Sequence, residues 1–254
     1  MAAVSVRGVT LGNGHCRIIL PIVEKTTEAI CARGKEFAAL GCDLIEWRAD
    51  WFEQAADRTA LLDCLQQLRR AVGETPLLVT FRTRAEGGER EIDAAQYGIF
   101  CQAVCESGCA DLLDAELFTE AAVLHNIITT AHTHGLAVVC SSHDFAKTPP
   151  KDEMVARLCR MQALGADIAK LAVMPHSRSD VAALRAATAE MADLHPQTPV
   201  ITMSMGALGQ VSRVAGASLG SCATFACAGA ASAPGQMSLV DARAALSALE
   251  QKKI

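Results

Sequence analysis

Short apolar runs alternate with longer amphipathic stretches along almost the whole chain. The runs cover 18–23, 44–47, 77–81, 112–117, 137–140, 168–173, 200–205 and 223–227. Each is the length of a strand, and each lacks the polar alternation of a strand with one wet face, so each reads as buried on both faces. Between them, residues 27–40, 58–72, 96–106, 121–134, 151–164 and 180–194 repeat their apolar positions with helical spacing. Gly41, Gly135 and Gly165 each stand just past one of these helices, where a left-handed stop belongs. Upstream, Val4, Val6, Val9 and Leu11 alternate toward Asn13-Gly14, with Cys16 and Ile18 beyond, which predicts a hairpin turning at Asn13-Gly14.

Eight strand–helix units in 254 residues predict a (β/α)8 barrel, an α/β fold, with residues 1–17 forming a hairpin that closes the bottom of the barrel. An open doubly wound sheet is the structural rival. It usually carries a glycine-rich phosphate loop after an early strand, and no G-x-G-x-x-G follows any strand here. No linker, low-complexity tract or internal repeat divides residues 1–254, so one barrel domain is expected.

Composition narrows the function classes. The net charge is -5, so nothing favours a phosphate backbone, and no nucleic-acid partner is expected. No uncharged apolar run reaches membrane-spanning length, and residues 1–8 lack a signal-peptide core, so the expectation is a cytoplasmic protein without a membrane partner. Eleven cysteines suggest disulfides at first sight, but no C-x-x-C pair occurs. Cys101, Cys105 and Cys109 instead mark one helix face, as small core residues would.

In such a barrel, chemistry sits where the strands end at the C-terminal face. There the second strand offers Glu46 and Arg48, the third Arg82 with Glu86 beyond, the fourth Asp114 and Glu116, the fifth His143, the sixth Lys170. The seventh ends Met203-Ser204-Met205, with Arg213 following. Residues two apart on a strand share a face. Four carboxylates against four cations suggest a compensated polar network, because charge in a barrel is costly unless paired. Lys170 is the most telling of seven lysines, being the one flanked by apolar residues within a strand. Burial disfavours the ammonium, and a neutral amine is what a Schiff-base nucleophile needs. His143 is the histidine at a strand end; His125, His132 and His134 fall on one helix and His195 near the end of another. It suits a proton carrier, with Glu86 able to hold its tautomer. After the eighth strand, residues 229–236 are small and flexible, a lid with Ser232 and Gln236 as donors, although their composition also fits an ordinary loop.

These residues resemble a known family. Glu46-Trp47-Arg48, Phe81-Arg82 with Glu86-Gly87-Gly88, Ser142-His143-Asp144-Phe145, Lys170-Leu171-Ala172-Val173-Met174-Pro175, Ile201-Thr202-Met203-Ser204-Met205-Gly206, Ser212-Arg213 and Ser232-Ala233-Pro234-Gly235-Gln236 are similar, in order and spacing, to type I 3-dehydroquinate dehydratases. The resemblance implies a shikimate-pathway lyase acting on 3-dehydroquinate as its small-molecule substrate. It implies Lys170 as the imine-forming amine, His143 as general acid and base, and Glu86 as the residue orienting that histidine. Arg213 becomes the partner of the substrate carboxylate, and Glu46, Arg48, Arg82, Met203, Met205, Ser232 and Gln236 complete the substrate site. The resemblance also implies a homodimer that uses neither metal nor organic cofactor. Pro21 departs from the family pattern, standing where a hydroxyl residue often touches the substrate. A class I Schiff-base aldolase on the same barrel is the nearest alternative. Aldolases of phosphorylated sugars usually bind phosphate with glycine-rich loops after the last two strands, where this chain has methionines, Arg213 and a Ser/Gln segment. A catalytically silent barrel used as a binding module would be expected to have lost the lysine–histidine pair, and both residues are present.

Overall fold

Eight strands follow one another in parallel, each beside its predecessor: β3 (Arg17–Ile22), β4 (Leu44–Arg48), β5 (Leu77–Thr80), β6 (Leu112–Glu116), β7 (Ala137–Asp144), β8 (Ile168–Val173), β9 (Val200–Ser204) and β10 (Ala223–Cys227). β10 pairs back onto β3, and a bridge from Val200 to Ser221 with a 2.8 Å bond from Cys222 N–H to the Val200 carbonyl closes the ring. This (β/α)8 barrel is a computed structural model describing residues 3–229, 233 and 235–251. Helices α1 (Thr27–Ala39), α2 (Arg58–Val72), α3 (Ala94–Glu106), α4 (Ala121–Thr133), α5 (Lys151–Ala163), α6 (Arg178–Leu194), α7 (Gly206–Ala215) and α8 (Leu239–Glu250) alternate with the strands. A two-residue strand, β11 (Met237–Ser238), adds to β10. No helix among the described residues is long and apolar enough to cross a membrane.

The period of two along each strand builds the interior in layers. At the N-terminal end, Ile19, Leu44, Leu78, Leu112, Val139, Ile168, Ile201 and Ala223 pack together as a dry floor. Two residues further along these strands stand Glu46, Thr80, Asp114, Ser141, Lys170, Met203 and Phe225, all buried. The intervening residues face the helices. Ala169 and Leu171 pack against Met154, Leu158 and Leu184 of α5 and α6, so the apolar flanks of Lys170 belong to the opposite side of its strand.

The hairpin closes the floor as expected, but it turns elsewhere. β1 (Val4–Val6) pairs antiparallel with β2 (Val9–Leu11) around Arg7-Gly8, and Asn13-Gly14 is only a bend leading into β3. Both turn residues have positive φ, 42° and 78°, the backbone a two-residue hairpin needs. Arginine rarely adopts it. Here the side chain is held by Asp111 at 2.6 Å and Glu74 at 3.0 Å. Leu11, fully buried, sits on the floor layer with Val4, Val6 and Val9 beside it.

Other differences lie at boundaries. β7 continues past the apolar run at 137–140 to Asp144, through the strand end expected at His143, because polar Ser141, Ser142 and His143 still pair with β8. α6 starts at Arg178, where Ser177 and Asp180 form a capping box. Residues 206–209 begin α7, a helix absent from the six stretches that the apolar spacing predicts. Gly209 packs there so closely on Ser204 that a Cβ would lie 2.3 Å from its backbone. None of the eleven cysteines is in a disulfide, and six of them are buried.

Candidate active site

A cavity of ≈ 510 Å³, its open mouth included, lies at the C-terminal end of the barrel. Glu46, Arg48, Arg82, Glu86, His143, Lys170, Met203, Met205, Arg213 and Gln236 line it. Thus of the eleven residues expected from sequence, ten meet in one place. Ser232 lies outside the described residues.

Lys170 forms the floor of this cavity and is 4% exposed. Its Nζ lies 3.5 Å from Asp114 Oδ2, 3.7 Å from Glu46 Oε1 and 4.5 Å from the centroid of the Phe225 ring. The amine is therefore held by two carboxylates and an aromatic face, although its sequence neighbours are apolar. Glu46 is itself fixed by the Thr80 hydroxyl, which donates at 2.8 Å.

His143 stands near the end of β7, with Nδ1 2.9 Å from Glu86 Oε2. The same oxygen accepts the His143 backbone N–H at 3.0 Å. With Glu86 as a carboxylate, Nδ1–H donates to it and Nε2 keeps its lone pair for another proton. Burial, with Arg82, Lys170 and Arg48 adding to it, pushes the imidazole well below its usual value. Burial pushes Glu86 up to about 8 against the pull of Arg82, with Glu116 and Asp114 raising it further.

Glu86 ends a single 3-10 turn (Arg84–Glu86) whose geometry the sequence fixes locally. The Glu86 and Gly88 N–H groups both donate to the Thr83 carbonyl, at 3.0 and 2.8 Å. Gly87 is left-handed with φ 84° and lies under the Phe145 ring. A Cβ on Gly88 would lie 1.9 Å from the Arg82 carbonyl oxygen, so only glycine fits the close approach.

The arginines divide by partner. Arg48 makes a two-point contact with Asp50 at 2.7 Å and 2.7 Å. Asp50, fully buried, also accepts the N–H groups of Arg82 and Glu89. Arg82 meets Glu116 at 2.8 Å, Asp114 at 2.8 Å, Ser141 at 3.0 Å and Glu86 at 3.4 Å. Burial pulls its pKa down, but Asp114, Glu116 and Glu86 outweigh that and raise it. Arg213 on α7 is buried, with Nη1 3.6 Å from the Met203 sulfur, and burial lowers it to about 10. It therefore remains a cation at neutral pH, and it lines the cavity.

The comparisons agree with this geometry. A family model for type I 3-dehydroquinase matches residues 18–253. The chain belongs to the type I 3-dehydroquinase family. The 3-dehydroquinate dehydratase of Syntrophotalea carbinolica is 46% identical over 252 residues, covering 99% of this chain and 100% of that protein. That of Enterococcus faecalis is 43% identical over 253 residues, with both chains fully covered. The type I 3-dehydroquinate dehydratase of Clostridium difficile, solved with covalently modified comenic acid, superposes with TM-score 0.96 at 40% identity, covering 99% of each chain.

Within this 3-dehydroquinase frame, the site contains residues that sequence reasoning left out. Asp114 and Glu116 were visible as strand-end carboxylates, but their partners were not. Phe225 and Asp50 gave no signal, since one is an apolar residue within a strand and the other follows a strand by two positions. Among the described residues, no group of three or more His, Cys, Asp and Glu side chains is arranged to hold a metal ion.

Proposed function

We propose that the protein dehydrates 3-dehydroquinate to 3-dehydroshikimate, a step of the shikimate pathway, through an imine on Lys170. The amine attacks the ketone carbon, the ketone oxygen departs as water, and the nitrogen is left as a protonated imine. That cation draws electrons from the neighbouring carbon, whose proton passes to His143 Nε2 and leaves an enamine. The enamine electrons then expel the hydroxyl one carbon further on. His143 returns its proton to that hydroxyl, which leaves as water, and hydrolysis of the imine frees Lys170.

Arg213 receives the substrate carboxylate, a task for which a guanidinium fork is suited. Glu46, Arg48 and Gln236 face the hydroxyls, while Met203, Met205 and Phe225 give the ring an apolar wall. Arg82 has its terminal nitrogens engaged by carboxylates and acts on the substrate through them. Ser232 keeps its assignment as a hydroxyl donor from the segment after β10. The carrying observation is that the buried Lys170 amine and the Glu86-held imidazole of His143 open on one cavity with Arg213. Membership of the family and the activity named for the relatives support the same reading.

Borohydride reduction tests it. With dehydroquinate present, reduction should leave a mass adduct on the peptide bearing Lys170, and Lys170→Ala should fold yet show neither adduct nor turnover. An adduct on another lysine, or none during turnover by the wild type, refutes the assignment.

A further inference from the structure

The carboxylates around Lys170 and Arg82 outnumber these two cations. Glu46, Glu86, Asp114 and Glu116 surround them, whereas Arg48 is matched separately by Asp50. A buried carboxylate that serves only as a counter-ion to Arg82 is redundant, because Glu116 already meets that guanidinium at 2.8 Å and takes the Thr83 N–H and hydroxyl as well. Asp114 is fully buried, yet it is placed between the two cations rather than on one of them. Oδ2 faces Arg82 Nη2 at 2.8 Å and Lys170 Nζ at 3.5 Å, and Oδ1 accepts the Ser141 hydroxyl at 2.7 Å. Ser141 in turn accepts from Arg82 Nη1 at 3.0 Å and is the register partner of Lys170 across β7 and β8.

We propose that Asp114 is a positioning residue that holds the Lys170 nitrogen in place and keeps it cationic through the imine stage, while tying it through Arg82 to the Glu86–His143 pair. The inference rests on the imine reading above. A path of contacts runs from Lys170 to Asp114 (3.5 Å), to Arg82 (2.8 Å), to Glu86 (3.4 Å) and to His143 (2.9 Å). Glu46 lacks such a connection, since its partners among the described residues are Thr80 and Lys170.

The chemistry explains why a fixed negative charge is needed at this point. An imine withdraws electrons strongly only while its nitrogen is protonated. A carboxylate a few ångströms away favours the protonated form, and more so in a water-poor cavity. Asp114 is suited to remain that carboxylate. Burial alone pushes it up, but Arg82, Lys170 and the Ser141 hydrogen bond together leave it below its ordinary value. It is assigned no proton transfer at the reacting carbon, so its effect falls on the rate after imine formation and on the pH at which the imine fails.

Asp114→Asn keeps the shape and removes the charge. Three measurements on this variant and the wild type decide the matter: borohydride trapping at Lys170, kcat and KM for dehydroquinate, and the pH profile of kcat. The proposal expects the Lys170 adduct still to form and KM to stay within about threefold. It expects kcat to fall at least ~30-fold and the alkaline limb of the kcat profile to move to lower pH by about one unit. An adduct with unchanged kcat and an unmoved alkaline limb overturns it while leaving the imine reading intact. Absence of the adduct in the wild type overturns the imine reading, and this inference with it. Should Asp114→Asn fail to fold, Ser141→Ala decides. That variant leaves the charge but releases its aim, so a fall in kcat with trapping retained and the alkaline limb unmoved supports the proposal, and wild-type kinetics refute it.

Discussion

Gly88→Ala is a sharp test of how the turn after β5 presents Glu86. The new methyl would lie 1.9 Å from the Arg82 carbonyl oxygen and 3.0 Å from that of Thr83. Neither is a flexible side-chain end. Relief requires the Gly88 backbone to retreat by more than an ångström, and two bonds depend on its present place. They are Gly88 N–H to the Thr83 carbonyl at 2.8 Å and Glu89 N–H to Asp50 Oδ2 at 3.1 Å. At about 1 kcal/mol for the first and somewhat more for the charge-assisted second, the loss is about 2–4 kcal/mol. For a barrel of this size that lowers Tm by roughly 4–16 °C. The same retreat draws Glu86 Oε2 away from His143, so kcat falls at least ~10-fold, a part of the ~10²–10⁴-fold that a positioned acid–base group supplies. Differential scanning calorimetry and steady-state kinetics measure both. A variant within about 2 °C of wild type with undiminished kcat would refute the claim that this close approach sets the Glu86–His143 geometry.

Four further outcomes follow from the structure. Glu86, ordinarily near 4.5, is held at about 8 in the folded chain, so folding retains a proton that the unfolded chain has lost, and stability falls as pH rises from about 4.5 to about 8. Glu86→Gln lacks that titration, so its Tm relative to wild type improves between pH 5 and pH 8. A pH-independent difference contradicts the argument. Wild-type kcat/KM rises through an acid limb centred near pH 8 as the Glu86 carboxylate forms, and because the imidazole is depressed, protonation of His143 limits activity only well below pH 6.5; in Glu86→Gln, where the first limb is gone, an acid limb centred at 6.5 or above speaks against a desolvated His143. Arg213→Lys gives up a bidentate contact with the substrate carboxylate, raising KM about 10- to 100-fold with a smaller change in kcat; an unaltered KM removes Arg213 from that role. A thiol reagent under native conditions reaches at most the five partly exposed cysteines, Cys16, Cys31, Cys109, Cys159 and Cys227, and all eleven after unfolding; six or more fast-reacting native thiols show the packing to be looser than described.

The barrel was legible because each strand is buried on both faces and each helix on one, two patterns that differ in period. The parity of Glu46 and Arg48, and the isolation of Lys170 among apolar neighbours, likewise led to a cavity that all three line. What stayed hidden was relational. Ala169 and Leu171 describe the helix side of β8, whereas the surroundings of the Lys170 amine come from β4, β6 and β10, far away in sequence. The pairing of Arg48 with Asp50 depends on the bend after β4. The hairpin turn was misplaced because Asn-Gly carries the stronger local preference, and the left-handed Arg7 is secured by Glu74 and Asp111, dozens of residues later. α7 was missed because two glycines and a short length weaken its helical signal, and its close packing on Ser204 does not show in the chain alone.

Leu11 and its hairpin give the barrel a sealed lower end. Among the described residues, the cavity above that floor is thus a blind well that opens at its C-terminal end. Reactant and product cannot pass each other along a tunnel; each turnover has to empty the well before the next molecule descends. Occupancy is mutually exclusive by architecture, so the product competes with its own precursor for the same opening, and whatever lodges at the rim halts traffic in both directions.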